Sequence, residues 1–225
     1  MSWRSRVRSV EVEPSLYAAD FARLGEQIEE LARAGARVLH FDVGDGHFVE
    51  PVTIGPIVLR SISRLVHDLG GVLDCHLMVE NPERHIGQIA EAGGDSVTFH
   101  LEATDEPHRL ASLARELGLG VGLAFNPETS AAEAAAAANG MDLVLCMSIH
   151  PGYSGQVFLP ESLARLRELR AALPADVLVQ VDGGINEENV AAVHDAGAAL
   201  IVAGSAVFDG PNIAGAYGNL AQAVA

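Results

Sequence analysis

Short apolar, β-branched runs alternate along this chain with longer stretches in which apolar residues recur every three or four positions. The runs at residues 10–16, 37–43, 72–78, 96–101, 121–125, 143–149, 177–181 and 200–203 are predicted strands. They are almost continuously apolar, the pattern of strands buried on both faces of a parallel sheet. Between them, Phe21, Leu24, Ile28 and Leu31 fall on one helical face, as do Leu163, Leu166 and Leu169. Proline in Asn81-Pro82 and Leu159-Pro160 suits a first helical turn, and Asn186 can cap another helix. Gly35, Gly70, Gly93, Gly118, Gly140 and Gly197 each close a helical stretch shortly before a strand, where a left-handed C-cap is expected.

Eight strand–helix units follow one another without a linker, a low-complexity tract or a shift in composition, so one domain over residues 1–225 is expected. Eight parallel units close naturally into a single (β/α)8 TIM barrel, although an open doubly wound sheet has the same content. No G-x-G-x-x-G follows the first strand, which counts against the dinucleotide-binding form of that alternative.

Composition narrows the chemistry. The formal net charge is −16 and the chain contains no lysine. A nucleic-acid partner is therefore not expected, because phosphate contacts need cationic side chains in number. Schiff-base mechanisms through a lysine are excluded. An anionic substrate must be held by backbone N–H groups, arginine or a metal. Cys75 and Cys146 lie in apolar runs and are expected to be reduced and buried rather than bridged. No apolar run approaches the ~18 residues of a membrane span. Residues 1–8 carry three arginines but neither the apolar core nor the cleavage site of a secretory signal, so a cytoplasmic protein is expected.

In a barrel, function sits at the C-terminal ends of the strands. There the second strand reads Val38-Leu39-His40-Phe41-Asp42-Val43, the third Leu73-Asp74-Cys75-His76-Leu77-Met78, and the seventh ends Gln180-Val181-Asp182-Gly183-Gly184. His40 and Asp42 are two apart and so share one face of their strand. If that face is the lumen, His76 and Asp182 can converge on them. Two imidazoles and two carboxylates suit one divalent transition metal such as zinc, manganese or iron. Taken singly, each has a plainer reading, as a hydrogen-bonded core histidine or a turn-capping aspartate. Glycine-rich turns after strands six, seven and eight (Pro151-Gly152-Tyr153-Ser154-Gly155-Gln156, Asp182-Gly183-Gly184 and Ala203-Gly204-Ser205-Ala206) let backbone N–H groups approach an anion.

At these residues the sequence resembles the ribulose-phosphate 3-epimerase family over nearly its whole length. Pro14-Ser15-Leu16 with Ala19-Asp20-Phe21, then His40-Phe41-Asp42-Val43-Gly44-Asp45-Gly46-His47-Phe48-Val49, then Asp74-Cys75-His76-Leu77-Met78 follow the family's order. Met147-Ser148, Pro151-Gly152 with Gly155-Gln156, Val181-Asp182-Gly183-Gly184 and Ala203-Gly204-Ser205-Ala206 continue it. The resemblance implies one divalent ion (zinc, iron, manganese or cobalt) held by His40, Asp42, His76 and Asp182. It implies Asp42 and Asp182 as acid and base in the 3-epimerisation of a ketose phosphate, D-ribulose 5-phosphate to D-xylulose 5-phosphate, through a metal-stabilised enediolate. It places Ser15, His76, Met78, Met147, Gly152, Gly155, Gln156, Gly183, Gly184, Gly204 and Ser205 around the substrate, and it implies a homo-oligomer.

Four positions depart from the family pattern. Gly44 stands where a methionine is usual, His150 replaces an asparagine, Ser154 replaces a glycine and Glu13 a small or apolar residue. A lost methionine side chain and an added histidine are expected to alter the pocket, so a related hexulose or tetrulose phosphate is the second reading. A barrel that binds a sugar phosphate without turning it over is the third. The Asp-x-Lys-x-x-Asp motif of the related decarboxylases and 3-hexulose-phosphate synthases is missing, since Asp42 is followed by Val43 and Gly44.

Overall fold

The computed structural model describes residues 3–225. Among the described residues eight strands are present: β1 (Glu11–Pro14), β2 (Val38–Gly44), β3 (Val72–Met78), β4 (Ser96–His100), β5 (Gly120–Phe125), β6 (Leu143–Met147), β7 (Leu178–Asp182) and β8 (Leu200–Ala203). All pair in parallel, in the order β1-β8-β7-β6-β5-β4-β3-β2. A further parallel bridge, Ser15 to His40, joins the two ends of that order and closes the cylinder. Counting could not separate a barrel from an open sheet, and this bridge does.

The helices are α1 (Leu24–Arg33), α2 (Pro56–Asp68), α3 (Glu83–Ala92), α4 (Pro107–Glu116), α5 (Ala131–Ala137), α6 (Ser162–Ala172), α7 (Val190–Asp195), α8 (Ser205–Phe208) and α9 (Ile213–Gln222). Their ends follow the local chemistry of the chain. Pro56 and Pro107 occupy first turns, and Ser130 with Glu133 forms a reciprocal capping box on α5. All six glycines expected to stop helices have positive φ, from 74° at Gly70 to 110° at Gly197. At Gly93, φ is 92° and a Cβ would stand 2.8 Å from Ser63, so a side chain there meets both backbone strain and a clash. Asn186 opens the turn that leads into α7, accepting from the Glu188 N–H at 2.9 Å.

Two apolar layers result from the alternation of strand side chains. Phe41, Cys75, Phe99, Val121, Val179 and Ile201 point outward and are buried against Ile28, Leu59, Ile86 and Leu110 of the helices. Each such side chain contributes ~1.5–3 kcal/mol of burial. The lower lumen is filled by Val38, Val72, Leu143, Leu178 and Leu200, and the N-terminal segment closes its floor with Trp3 and Val7. Gly120 makes room for that plug, since a Cβ there would lie 2.6 Å from Trp3 Cγ.

Phe21 departs from expectation. It lies in a separate 3-10 turn, Phe21–Arg23, and is 48 % exposed, while Leu24, Ile28 and Leu31 form the buried face of α1. Asp20 accepts from the Ala22 N–H and caps that turn, so α1 begins only at Leu24. The sixth strand stops at Met147, short of Ile149, and just beyond it Ser148 Oγ lies 2.8 Å from the Asp182 carbonyl and 2.7 Å from that of Gly183, which share its one hydrogen.

Candidate active site

The upper lumen is polar where the lower is apolar. Parallel pairing sets Asp42 beside His76 and His40 beside Asp74, and it sets Met147 beside Asp182. His40, Asp42, His76 and Asp182 each bring one ligand atom into a group that lies within 4.8 Å. His76 Nδ1 stands 3.1 Å from Asp42 Oδ1, and His40 Nε2 stands 3.2 Å from the same oxygen. Ser15 Oγ donates to the other oxygen, Oδ2, at 2.6 Å.

Position makes the two acids differ. Burial opposes ionisation of Asp42, but His40 and His76 outweigh it and hold its carboxyl far below the usual range. Asp182 keeps part of its surface on the pocket, yet burial, and then the charge of Asp42, push its carboxyl up to about 7. Burial works against a charge on His40, but Asp42, Asp74 and Glu13 around it raise its pKa well above the ordinary imidazole value.

Each imidazole has a partner behind it. His40 Nδ1 is 3.1 Å from Asp74 Oδ2, and Asp74 also accepts from Ser96 Oγ and, at 2.8 Å, from Gln180 Nε2. Gln180 Nε2 donates a second bond, of 2.6 Å, to Glu13 Oε2. Glu13 is wholly buried, and burial pushes its carboxyl up to about 7. Behind His76 stand His100, at 2.8 Å between the two Nε2 atoms, and then Glu102, 3.3 Å from His100 Nδ1. Burial lowers His100 to about 4. Glu102 is held down at about 2: burial opposes this, but bonds from His100, Thr129 and the Asn126 N–H prevail.

The donor set suits a divalent metal. His40 Nε2 is buried and has no hydrogen-bond partner, although it faces Asp42. An orphan nitrogen beside a carboxylate is what a cation between them would satisfy. The four ligand atoms already lie within 4.8 Å of one another, close enough for side-chain shifts to bring them onto one ion.

Above this cluster opens a pocket lined by Ser15, Tyr17, Asp42, Met78, Met147, Asp182 and the turns carrying Gly152, Gly155, Gly183, Gly184, Gly204 and Ser205. Neither lysine nor arginine lines it. Gly183 and Gly184 have φ of 121° and 65°, and a Cβ on either would lie 2.4 Å from the adjoining loop. Only glycine brings the backbone so close on that wall. Of the remaining residues expected around a substrate, His76 lies beneath the pocket, fully buried. Gln156 faces an adjoining hollow and donates to the His150 and Tyr153 carbonyls at 2.8 and 2.9 Å, which pins the loop.

Two departures from the family pattern act differently from expectation. The space beside Gly44 is filled rather than open: a Cβ there would meet Val49 Cγ2 at 2.9 Å and the Pro51 carbonyl at 3.0 Å. His150 is absent from the pocket lining and is paired with Glu128 at 2.6 Å, both side chains being 65 % exposed. Ser154 does line the pocket, and Glu13 lies below it. Glu102, His100, Gln180, Tyr17 and Arg165 were not singled out from the sequence. Arg165 donates to the Met147 carbonyl at 2.8 Å and to the Asn126 carbonyl at 2.7 Å, which ties α6 to the top of β6.

Comparison with known proteins places this arrangement among enzymes. The chain is 41 % identical over 204 residues to a ribulose-phosphate 3-epimerase of Escherichia coli (strain K12), covering 89 % of this chain and 90 % of that one. It is 41 % identical to the enzyme of that name from Bacillus subtilis (88 % and 92 % covered) and 42 % identical to that from Synechocystis (92 % and 91 %). Among solved structures, a 3-hexulose-6-phosphate synthase superposes with a TM-score of 0.71 at 22 % identity, covering 97 % of this chain and 100 % of that one. An orotidine 5'-phosphate decarboxylase from Pyrococcus horikoshii gives 0.70 at 14 % identity, with 95 % and 98 % covered; at such identities these two show the shared fold alone. A profile of the ribulose-phosphate 3 epimerase family matches residues 11–208, which contain every ligand atom of the lumen cluster and every glycine turn of the pocket, and the chain belongs to that family.

Proposed function

We propose that this chain is a metal-dependent 3-epimerase, carried by one barrel domain, that interconverts D-ribulose 5-phosphate and D-xylulose 5-phosphate. The observation that carries this reading is that two carboxyls, Asp42 and Asp182, reach one pocket from different strands, within a group of His and Asp ligand atoms that all lie within 4.8 Å of one another. Inverting a carbon next to a carbonyl needs two such groups, one to take a proton and one to return a proton. Asp42 takes the proton of carbon 3 from one face, leaving an enediolate, and Asp182 returns a proton to the opposite face. In the reverse direction the two exchange roles. Ser15 steadies Asp42 in its ionised form through the 2.6 Å bond to Oδ2. Met78 and Met147 are buried and apolar at the pocket floor and exclude water from the enediolate. The backbone of the turns at Gly183-Gly184 and Gly204-Ser205 receives the phosphate.

His40, Asp42, His76 and Asp182 would hold the divalent ion, and zinc, iron, manganese or cobalt fits two imidazoles and two carboxylates. When bound, it supplies Lewis-acid stabilisation of negative charge on the substrate's carbonyl and hydroxyl oxygens, worth several kcal/mol. The filled space beside Gly44 and the outward His150 favour the pentulose over a hexulose or tetrulose phosphate. Two free, buried cysteines suit the reducing cytoplasm, and no described helix is long and apolar enough to cross a membrane. A homo-oligomer is part of this proposal.

Proton exchange tests the reaction. Ribulose 5-phosphate incubated in heavy water with the metal-loaded protein should gain deuterium at carbon 3. Binding of the sugar phosphate without exchange would mean a barrel that only binds it.

A further inference from the structure

His76 does not end at its contact with Asp42. Its far nitrogen, Nε2, is 2.8 Å from His100 Nε2, and the two rings stack at 5.0 Å with 24° between their planes. Both histidines are fully buried, and Phe48 walls the other side of His100 with ring centres 4.7 Å apart. Beyond, His100 Nδ1 is 3.3 Å from Glu102 Oε2 on the 3-10 turn that follows β4. Glu102 is itself fixed, because its Oε1 accepts from the Asn126 N–H at 2.8 Å and from Thr129 Oγ1.

Counting lone pairs along this row gives one consistent arrangement of neutral rings. A carboxylate only accepts, so His100 carries its hydrogen on Nδ1 and presents a lone pair at Nε2. His76 must then carry its hydrogen on Nε2, and its Nδ1 becomes a lone pair aimed at Asp42 Oδ1 3.1 Å away. Lone pair facing carboxylate is repulsive until a cation stands between them.

We infer that His100 and Glu102 are positioning residues for the metal centre: they lock His76 in the tautomer and orientation that offers Nδ1 to a divalent ion. This rests on the metal-dependent reading above and adds to it a pair of residues that touch neither substrate nor ion. His40 is backed directly by the carboxylate of Asp74, whereas His76 receives the same service through a second imidazole. The pair also explains why a charged side chain of the loop after β4 is bound to backbone and side chain of the loop after β5.

The test measures Kd for Zn2+ by chelator competition on stripped wild-type, His100→Gln and His100→Leu proteins, with imidazole 15N spectra of the wild type. Glutamine can accept from His76 through its oxygen and donate to Glu102 through its nitrogen; leucine can do neither. The Leu variant should bind about 10–100-fold more weakly, the Gln variant should keep most of the affinity, and the spectra should show the His76 hydrogen on Nε2. A hydrogen on Nδ1 of His76 in the metal-bound protein overturns the inference, as do equal losses in both variants. If the Leu variant fails to fold, the Gln variant and the wild-type spectra still decide. Tight binding by wild type that the Leu variant shares sinks the positioning role alone. Wild type that binds no Zn2+, Mn2+, Fe2+ or Co2+ sinks the metal centre and this role with it.

Discussion

Ser15 Oγ donates to Asp42 Oδ2 at 2.6 Å across the seam where β1 meets β2, so the bridge that closes the barrel also holds one of the two pocket acids. Closure of the fold and setting of the site are one event at this place. A hydrogen bond to a charged group contributes ~1.5–3 kcal/mol. Ser15→Ala should therefore lower kcat/KM by about 10–100-fold. Asp42 stripped of a donor holds its proton more tightly, so the acid limb of the pH–rate profile should move to higher pH. A drop in rate with an unmoved acid limb would make Ser15 a packing residue only.

The raised carboxyls predict how the stripped protein responds to pH. Asp182 and Glu13 hold protons up to about 7 in the folded chain and release them near 4 when unfolded. Between those values the folded state binds more protons, so these groups stabilise at low pH and their contribution is lost as pH rises towards 7. His40, raised above its ordinary value, acts in the same direction above pH ~6.5. The lowered His76 and His100 act oppositely, but only below that value. From pH ~6.5 to 8, chelator-treated protein should thus lose stability in urea melts, and Asp182→Asn should flatten the slope. A wild-type stability that climbs with pH in that window would contradict the assignment.

Gly44 yields a steric prediction. A single methyl at this position stands 2.9 Å from Val49 Cγ2, 3.0 Å from the Pro51 carbonyl and 3.0 Å from Thr53 Cγ2. Thr53 also binds the Gly44 N–H at 2.6 Å, which fastens the loop to the strand end. Gly44→Ala should cost about 1–3 kcal/mol by overpacking and should raise KM by displacing that loop. A neutral effect on the melting temperature would mean that the pocket has the spare room a missing side chain suggests.

Much of this was legible along the chain, for reasons that can be named. Parallel strands buried on both faces write themselves as apolar runs, and helix stops appear as glycines because only they accept positive φ cheaply. The convergence of His40, Asp42, His76 and Asp182 follows from a period of two and the rule that barrel sites sit at strand ends. The second layer stayed hidden. His100, Gln180 and Glu13 lie inside or beside apolar runs, where a polar residue reads alike whether it enters the lumen or a turn. Gly44 looked like a vacancy because nothing local says that Val49 and Thr53 fold back onto it. Trp3 could not be placed either: it seals the barrel floor against β5, more than a hundred residues away in sequence.

Gln180 is the hinge of that hidden layer, and its two bonds make a coupling that can be measured. One amide nitrogen serves two buried carboxyls, Glu13 Oε2 at 2.6 Å and Asp74 Oδ2 at 2.8 Å. Gln180→Leu leaves both without that donor in a site with no access to water. Asp74 keeps His40 and Ser96 as partners, but Glu13 Oε2 loses its hydrogen-bond donor, which costs about 1–3 kcal/mol, so the variant should be clearly destabilised. Removing one of the acceptors should relieve part of that loss. The double variant Glu13→Ala/Gln180→Leu is therefore expected to be more stable than the sum of its single variants by about 0.5–3 kcal/mol in urea melts. Simple additivity would mean that Glu13 and Gln180 do not share a bond in the folded protein. Glu13 would then have only His40, 3.7 Å away, to account for a buried acid where the family has a small or apolar residue.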